Sequence, residues 1–434
     1  MIKISKGLDL PISGTPENIL EDVDVRTCGV LGTDHVGFKP TLKKNIGDEV
    51  KAGEILLENK KDQNIYITSP ASGRITDINR GNKRRLLSIE IDIDDEIGSI
   101  EFNTDNILDL LINSGYFSFF KTRPFNRTPH VDDIPKSIFV NCCDTNPLSI
   151  DPFNIITLNQ ELFDKGLEII SKLYEVPVYC TYQNDDFITS HDNVEFIKFN
   201  GPHPAGLVGT HIHMISPVNL DNVVWSIGFQ EVMSIGYLYI HKMIRNKKTI
   251  ALGGEGVYEP KLLNLRYGSN IDEAIAGKIK GGVRVISGSV LNGISSSGAM
   301  KFIGTFDNQI SVIPDNSNDI LFNWLMPGKN LHSKLGTFIS SWIKPKKFIF
   351  NTSKNGGNRA IVPLPSYEEV MPLNILSTQL LKAIVTKDIE LAIRLGALEL
   401  SPEDLALLSY VCPSKYDYQT ILADNLNLIY EEMS

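Results

Sequence analysis

The stretch Gly47-Asp48-Glu49-Val50-Lys51-Ala52-Gly53-Glu54-Ile55-Leu56-Leu57-Glu58, followed by Ser69-Pro70-Ala71-Ser72-Gly73-Arg74-Ile75, decides how the first hundred residues fold. Its glycines fall where turns between short strands need a positive φ that other residues resist. Around it lie further β-type runs, Thr41 to Lys44, Ile65 to Thr68, Arg74 to Ile78 and Leu86 to Ile93. Together they predict a small all-β domain over residues 1–100. Beyond Asn106 the pattern changes to strands such as Ser137 to Val140 and Pro177 to Cys180, with a helical segment Gln160 to Leu173 between them. That alternation predicts a Rossmann-like α/β domain with a parallel sheet over 101–245. The strand Thr249 to Gly254, a polar helix near Asp272 to Ala276 and the strand Val283 to Ile286 predict a β-grasp-sized unit over 246–330. The remainder, 331–434, reads as helical. In Ser401-Pro402-Glu403-Asp404 a capping hydroxyl, a proline and two acids suit the positive end of a helix. Leu405, Leu408 and Val411 form its apolar face, and Pro413 stops it.

The 434 residues exceed what one core usually holds. A 42% apolar and 22% charged composition is that of a folded globular protein. A net charge of -10 opposes nucleic-acid binding, which needs a positive surface to displace counterions. The longest low-charge apolar run, Val223 to Ile240, is interrupted by Gln230, Glu231 and two glycines. It reads as a buried helix and not as a membrane span. The N-terminus lacks the apolar run of a secretory signal, so a cytoplasmic protein is expected. Five cysteines, with no C-x-x-C pair, fit thiols held reduced.

The two opening segments resemble the biotinyl/lipoyl family, in which G-D-x-V-x-x-G-x-x-L and P-x-x-G-x-I/V mark turns of a barrel-sandwich hybrid. Carriers of that family present a modified lysine on the intervening hairpin. Here the hairpin reads Glu58-Asn59-Lys60-Lys61-Asp62-Gln63-Asn64, without the Met-Lys-Met or Asp-Lys-Ala setting, so Lys60 and Lys61 read as a solvated tip. A second resemblance is to the flavin-binding subunit of complex I and the C subunit of the Rnf complex, whose glycine-rich loop cradles flavin and nicotinamide phosphates. The equivalent loop, Gly115-Tyr116-Phe117-Ser118-Phe119-Phe120-Lys121-Thr122-Arg123-Pro124-Phe125, keeps one glycine and fills the rest with rings. Iron-sulfur cysteines are reduced to Val411-Cys412-Pro413.

Over its whole length the chain resembles the A-subunit family of the sodium-translocating NADH:quinone oxidoreductases (Na+-NQR). The carrying segments are Lys6 to Gly14, Arg123-Pro124-Phe125, Asp144 to Leu148, Gly201 to Leu207, Val283 to Leu291, Met326 to Asn330 and Leu395 to Leu400. The resemblance implies a barrel-sandwich, a Rossmann-like, an SLBB-like β-grasp and a helical C-terminal region. It also implies a peripheral subunit on the cytoplasmic face of the bacterial inner membrane, part of a pump that couples NADH oxidation and ubiquinone reduction to sodium export. No cofactor is expected tightly bound to this chain. Ubiquinone is expected at an interface, and FAD, FMN and 2Fe-2S on partner subunits. The implied partners are the other five subunits, chiefly the quinone-binding membrane subunit. The competing readings are a flavin-dependent NADH dehydrogenase subunit, opposed by the degraded glycine loop, and a biotin or lipoyl carrier, opposed by the hairpin.

Quinones need mostly apolar walls with one or two hydrogen-bond donors. Two segments qualify, His35-Val36-Gly37-Phe38 and the aromatic loop ending in Arg123-Pro124-Phe125, and they nominate His35, Phe38, Arg123 and Phe125 as quinone contacts. The same rings could instead pack between domains. His203, His211 and His213 invite a metal reading, with His-x-His on a strand placing two rings on one side, but a structural role is the more economical reading. Gly288 to Ser295 has P-loop spacing with Ile294 where the lysine should stand, and Gly29 to Gly37 does not open a helix. Basic clusters occur at Lys83-Arg84-Arg85, Arg245 to Lys248 and Lys344-Pro345-Lys346-Lys347. The last follows an expected aromatic-rich helix, and Trp342, Lys344, Lys346 and Lys347 are the candidate dock for membrane subunits.

Overall fold

The structure, a computed structural model, describes residues 1–187, 191–315, 327–329, 331–334, 336, 338–342, 347–357 and 359–433. The short strands of the first hundred residues form two facing antiparallel sheets. One has the order Thr27–Leu31, Leu86–Ile93, Gly73–Arg80, Glu49–Val50, and the other Pro40–Leu42, Ile55–Asn59, Tyr66–Thr68. Their inward residues Val50, Leu56, Leu57, Ile75, Ile89 and Ile91 are almost wholly buried against one another. Gly47 and Gly53 take φ of 93° and 85° at the strand turns, as their positions in the sequence require.

Two N-terminal strands leave this sandwich. Ile2–Lys3 pairs in parallel with Val194–Asn200, and Leu20–Asp22 pairs in parallel with Lys261–Arg266, so the start of the chain edges two other sheets.

The second unit is a six-stranded sheet in the order Ile2–Lys3, Val194–Asn200, Val178–Tyr182, Ile138–Cys142, Val224–Gly228, Lys121–Arg123, with the last strand antiparallel. The helix Gln160–Leu173 lies where the pattern places it and packs on Phe229–His241. Two glycines set the closeness of that pair: a Cβ at Gly166 would lie 2.0 Å from the Val232 carbonyl oxygen, and one at Gly236 would lie 1.9 Å from that of Leu162. The run Val223 to Ile240, expected as one helix, divides into the strand Val224–Gly228 and the helix Phe229–His241. Strand and helix are both buried on nearly every side, with Ser226, Gln230, Glu231 and Ser234 buried among the apolar residues, so no period separates them, and Gly228 becomes the N-cap. His211 and His213 lie on the helix Val208–Ile215 rather than on a strand. Side chains two apart on a helix do not share a face, which removes the geometric basis of the metal reading.

The third unit is a six-stranded sheet, Ile294–Ser295, Val283–Ser287, Gln309–Pro314, Lys247–Gly253, Lys261–Arg266, Leu20–Asp22, with the short helix Ile271–Ala274 packed on its core of Ile250, Leu252, Leu263 and Val312. The C-terminal helices Ser377–Thr386, Ile389–Arg394, Ala406–Val411 and Tyr418–Met433 enclose a separate apolar core. Ser401 and Asp404 make the reciprocal capping box, but the turn they start, Pro402–Leu405, is a 3-10 segment leading into Ala406–Val411. The aromatic-rich helix expected before Lys344 is only a 3-10 turn, Ile339–Trp342, among the described residues. None of the described helices is long and apolar enough to cross a membrane.

Candidate functional site

Strand order in the second sheet reverses at one place. From Ile138–Cys142 the chain builds outward through Val178–Tyr182 and Val194–Asn200, then returns to lay Val224–Gly228 on the opposite side. Open parallel sheets bind ligands outside the carboxyl ends of their strands at such a reversal. A crevice of about 300 Å³ lies there, walled by Asn141 and Asp144 after one strand and by Gly228 and Glu231 after the other. The antiparallel strand Lys121–Arg123 contributes both its basic side chains, the third sheet contributes Phe306 to Gln309, and the C-terminal helices contribute Glu403.

Charge inside the crevice is unevenly committed. Arg123 is almost fully buried, with Nη2 donating to Glu403 Oε1 at 3.0 Å and Nη1 to Asp404 Oδ2 at 3.4 Å. This ion pair clamps the α/β unit to the helical unit. Burial pushes the Asp144 carboxyl up to about 6, against hydrogen bonds from Asn146 that favour its charged form. Lys121 carries its ammonium 3.6 Å over the Phe306 ring, and burial lowers its pKa. Glu231 is 3% exposed, and its Oε1 has no hydrogen-bond partner among the described residues.

The loop ahead of the Lys121–Arg123 strand is filled. Gly115 is left-handed at φ 79°, and after it Tyr116, Phe117, Phe119 and Phe120 are all buried. Phe117 stands edge-on to Trp225 at 5.7 Å, and Tyr116 stacks on Phe119 at 4.5 Å. Phosphates need free backbone N–H groups in an open loop, so a flavin or nicotinamide phosphate does not fit this one. Cys412 is buried in the helical core, apart from the sheet thiols Cys142 and Cys180, whose sulfurs are 3.7 Å from each other. Four thiolates do not converge for an iron-sulfur cluster among the described residues.

The His35 to Phe38 loop lies beside Tyr116, Ser118 and Phe119 of the aromatic loop and beside Arg127, two residues past the nominated Phe125. A Cβ on Gly37 would lie 2.3 Å from Arg127 Nη1, and Phe306 stands edge-on to His35 at 5.3 Å while carrying Lys121 on its face. Burial holds the His35 pKa down at about 3, and its Nδ1 has no partner among the described residues. The cavity that His35 lines is about 60 Å³, room for water rather than for a quinone ring. Phe38 packs between the sandwich core and the α/β core, and Phe125 packs on Tyr430 at 5.3 Å. Phe306, Glu231 and Lys121 were missed by sequence reasoning. Nothing local marks Phe306, and only the strand reversal brings the others to one crevice.

His211 Nε2 donates to the Ala205 carbonyl at 2.8 Å and its Nδ1 accepts from Thr181 at 3.0 Å, while burial lowers its pKa to about 4. His203 bonds Thr145 at 3.1 Å, and His213 bonds Glu399 at 2.6 Å. The imidazoles serve the fold. Lys60 and Lys61 are both exposed at the hairpin tip, as expected of a solvated turn, and Asp62 beside them bonds His130 at 3.0 Å. In the basic cluster, Trp342 is 83% exposed and Lys347 donates to Thr15 Oγ1 at 2.7 Å. Lys344 and Lys346 lie outside the described residues.

Three family models match consecutive parts of the chain: the NqrA N-terminal barrel-sandwich hybrid domain over residues 2–94, the NqrA second alpha/beta domain over 102–242 and the NQRA C-terminal domain, of SLBB type, over 249–298. Relatives that bear the name of the A subunit of Na(+)-translocating NADH-quinone reductase are similar over 100% of both chains. They are 41% identical in Alcanivorax borkumensis, 42% in Hahella chejuensis and 41% in Klebsiella pneumoniae. A solved NAD+-reducing [NiFe]-hydrogenase matches 74% of this chain and 62% of its own at 10% identity and a TM-score of 0.39, too slight a likeness to build on.

Proposed function

Because the chain belongs to the A-subunit family of the Na(+)-translocating NADH-quinone reductases, we propose that it serves that enzyme as a peripheral, cofactor-free component which shapes the quinone-reducing end. Identity of 41% along the whole of both chains carries the reading of a component of this sodium pump. The packed rings of Tyr116 to Phe120 support the absence of flavin chemistry on this chain, since they occupy the loop that a phosphate would need. FAD, FMN and 2Fe-2S then belong to partner subunits. NADH enters elsewhere in the complex, and this chain's task is structural at the acceptor side.

The quinone reading, on His35, Phe38, Arg123 and Phe125, draws support from the His35 to Phe38 loop lying against Arg127, just past the second nominated segment. Val36 is exposed at the tip of the first, and Arg127 stacks 3.8 Å over Tyr430 beside it. With His35 lining so small a cavity, a ubiquinone ring would lie against the outer face of this loop, between this chain and the membrane partner. The chain meets the complex from the cytoplasmic face, with Trp342 and the basic cluster toward the membrane partners.

The test compares the complex assembled with and without this chain. Sodium-dependent NADH:quinone reductase activity is expected to fall when the chain is omitted and to return when it is added back. Val36→Asp is expected to raise the KM for quinone and leave NADH oxidation by an artificial acceptor unchanged. Full quinone activity without the chain overturns the reading.

A further inference from the structure

We infer that the crevice at the strand reversal is a binding site for a small planar molecule with a carbonyl acceptor and an N–H donor on its rim, such as a single-ring carboxamide or imide. The inference is independent of the quinone reading, which uses the outer face of another loop. The crevice holds about 300 Å³, at the low end of ligand pockets and suited to one ring rather than a dinucleotide. Its position outside the carboxyl ends of Ile138–Cys142 and Val224–Gly228 is where this architecture places ligands.

The chemistry follows from which wall groups remain uncommitted. Arg123 is engaged by Glu403 and Asp404, Asn141 donates to the Gly206 carbonyl at 3.2 Å, and Gln309 donates to the Pro147 carbonyl at 2.9 Å. Asp144 accepts from Asn146 and Asp307 Oδ2 accepts from Ser287 Oγ at 2.6 Å, Arg123 keeps only its Nε without a partner among the described residues, and Lys121 and Glu231 remain. Lys121 lies over Phe306 with no hydrogen-bond acceptor among the described residues, and the buried Glu231 has Oε1 unpaired among them. Oε1 is sealed inside the wall, while Oε2 reaches over Gly228 at the crevice, where it can accept from a ligand N–H. Lys121 supplies a donor for a carbonyl oxygen, and the edges of Phe306 and Phe119 form the apolar part of the wall beside it.

The same groups exclude a phosphate. Gly228 caps the helix Phe229–His241 with no side-chain bond, so the helix N-terminus at the crevice would by itself attract an anion. Glu231 stands in that first turn, and its carboxylate already answers the helix dipole and repels a second negative charge. A Cβ on Gly228 would lie 2.3 Å from Glu231 Oε2, which shows how closely the carboxylate folds over the helix start. The ligand is therefore neutral or carries its charge away from this end.

The test titrates the full-length purified chain with nicotinamide and with uracil, followed by calorimetry and by ligand-observed NMR, with inorganic phosphate as a third arm. The expected result is saturable binding of one or both rings at one site per chain and none of phosphate. Lys121→Met and Glu231→Gln should each weaken binding by about tenfold or more, which is about 1.4 kcal/mol. Circular dichroism checks that each variant is folded; should Glu231→Gln unfold, Lys121→Met and Phe306→Leu decide alone. No binding of either ring to the wild-type chain overturns the inference, as does binding that Lys121→Met leaves unchanged or a preference for phosphate.

Discussion

Two neighbouring parts of the α/β unit have gone opposite ways. The loop Gly115 to Phe120 is packed solid with buried rings, while the crevice a few residues further on, at Lys121 and Glu231, is polar and open. In the first, every ring is spoken for by packing; in the second, a lysine and a glutamate oxygen stay without hydrogen-bond partners among the described residues. Rings in a loop stabilise the fold and close it to phosphate. Unpaired charges in a crevice cost stability and persist only where something else uses them.

The largest effect should come where the crevice wall is fully committed. Arg123→Ala leaves Asp404 buried without its cation, and thermal or denaturant unfolding is expected to show a loss of about 3–5 kcal/mol. Phe117→Ala empties the ring cluster against Trp225 and should cost a similar amount, about 3–5 kcal/mol. A Phe117→Ala protein as stable as wild type would mean that packing does not hold this loop.

By contrast Lys121→Met removes a charge whose burial is unfavourable and whose partners are few, so stability should change by less than about 1 kcal/mol. If it instead unfolds the chain, the lysine is a structural group and the contrast fails.

A pH series sharpens the contrast further. Burial raises the Asp144 carboxyl to about 6, above its ordinary value of 3.8. The folded state therefore holds its proton more tightly than the unfolded chain, and the stability this lends is full below pH 3.8 and is lost as pH rises through about 6. Asp144→Asn cannot ionise, so relative to wild type it should gain stability as pH rises from about 4 to about 6.5, read from unfolding midpoints across that range. A constant difference between the two proteins would place the carboxyl at its ordinary value.

The sandwich is legible because glycines such as Gly47 and Gly53 punctuate its short strands, and both the strand Leu86–Ile93 and, in the next unit, the helix Gln160–Leu173 fall where their patterns put them. Val223 to Ile240 reads wrongly as one helix because a run buried on nearly every side has no period, and His211 reads wrongly as a strand residue because a single His-x-His does not distinguish a strand from the short helix Val208–Ile215. Ile2–Lys3 and Leu20–Asp22 could not be assigned to other sheets, since parallel pairing at long separation leaves no local mark. At the candidate site, Arg123 is legible as a cation at the end of an aromatic loop. Its partners Glu403 and Asp404, 280 and 281 residues away, read only as helix-start acids.

The smallest effect on stability is expected at the exposed dock. Trp342→Ala touches a side chain that is 83% exposed and should leave unfolding within about 0.5 kcal/mol of wild type. Joined to Lys344→Glu, Lys346→Glu and Lys347→Glu, it should lower recovery of the chain with the membrane subunits, most at low salt, where the charges are least screened. Co-purification at wild-type yield across a salt series would remove this surface from the account.

The most direct measurement of the central claim is the flavin and iron content of the purified chain, taken beside its ability to restore quinone reductase activity to a complex assembled without it. The account predicts a colourless protein with neither flavin nor iron in stoichiometric amount that nonetheless restores activity. One flavin or one iron-sulfur cluster per chain, retained through gentle purification, would contradict it.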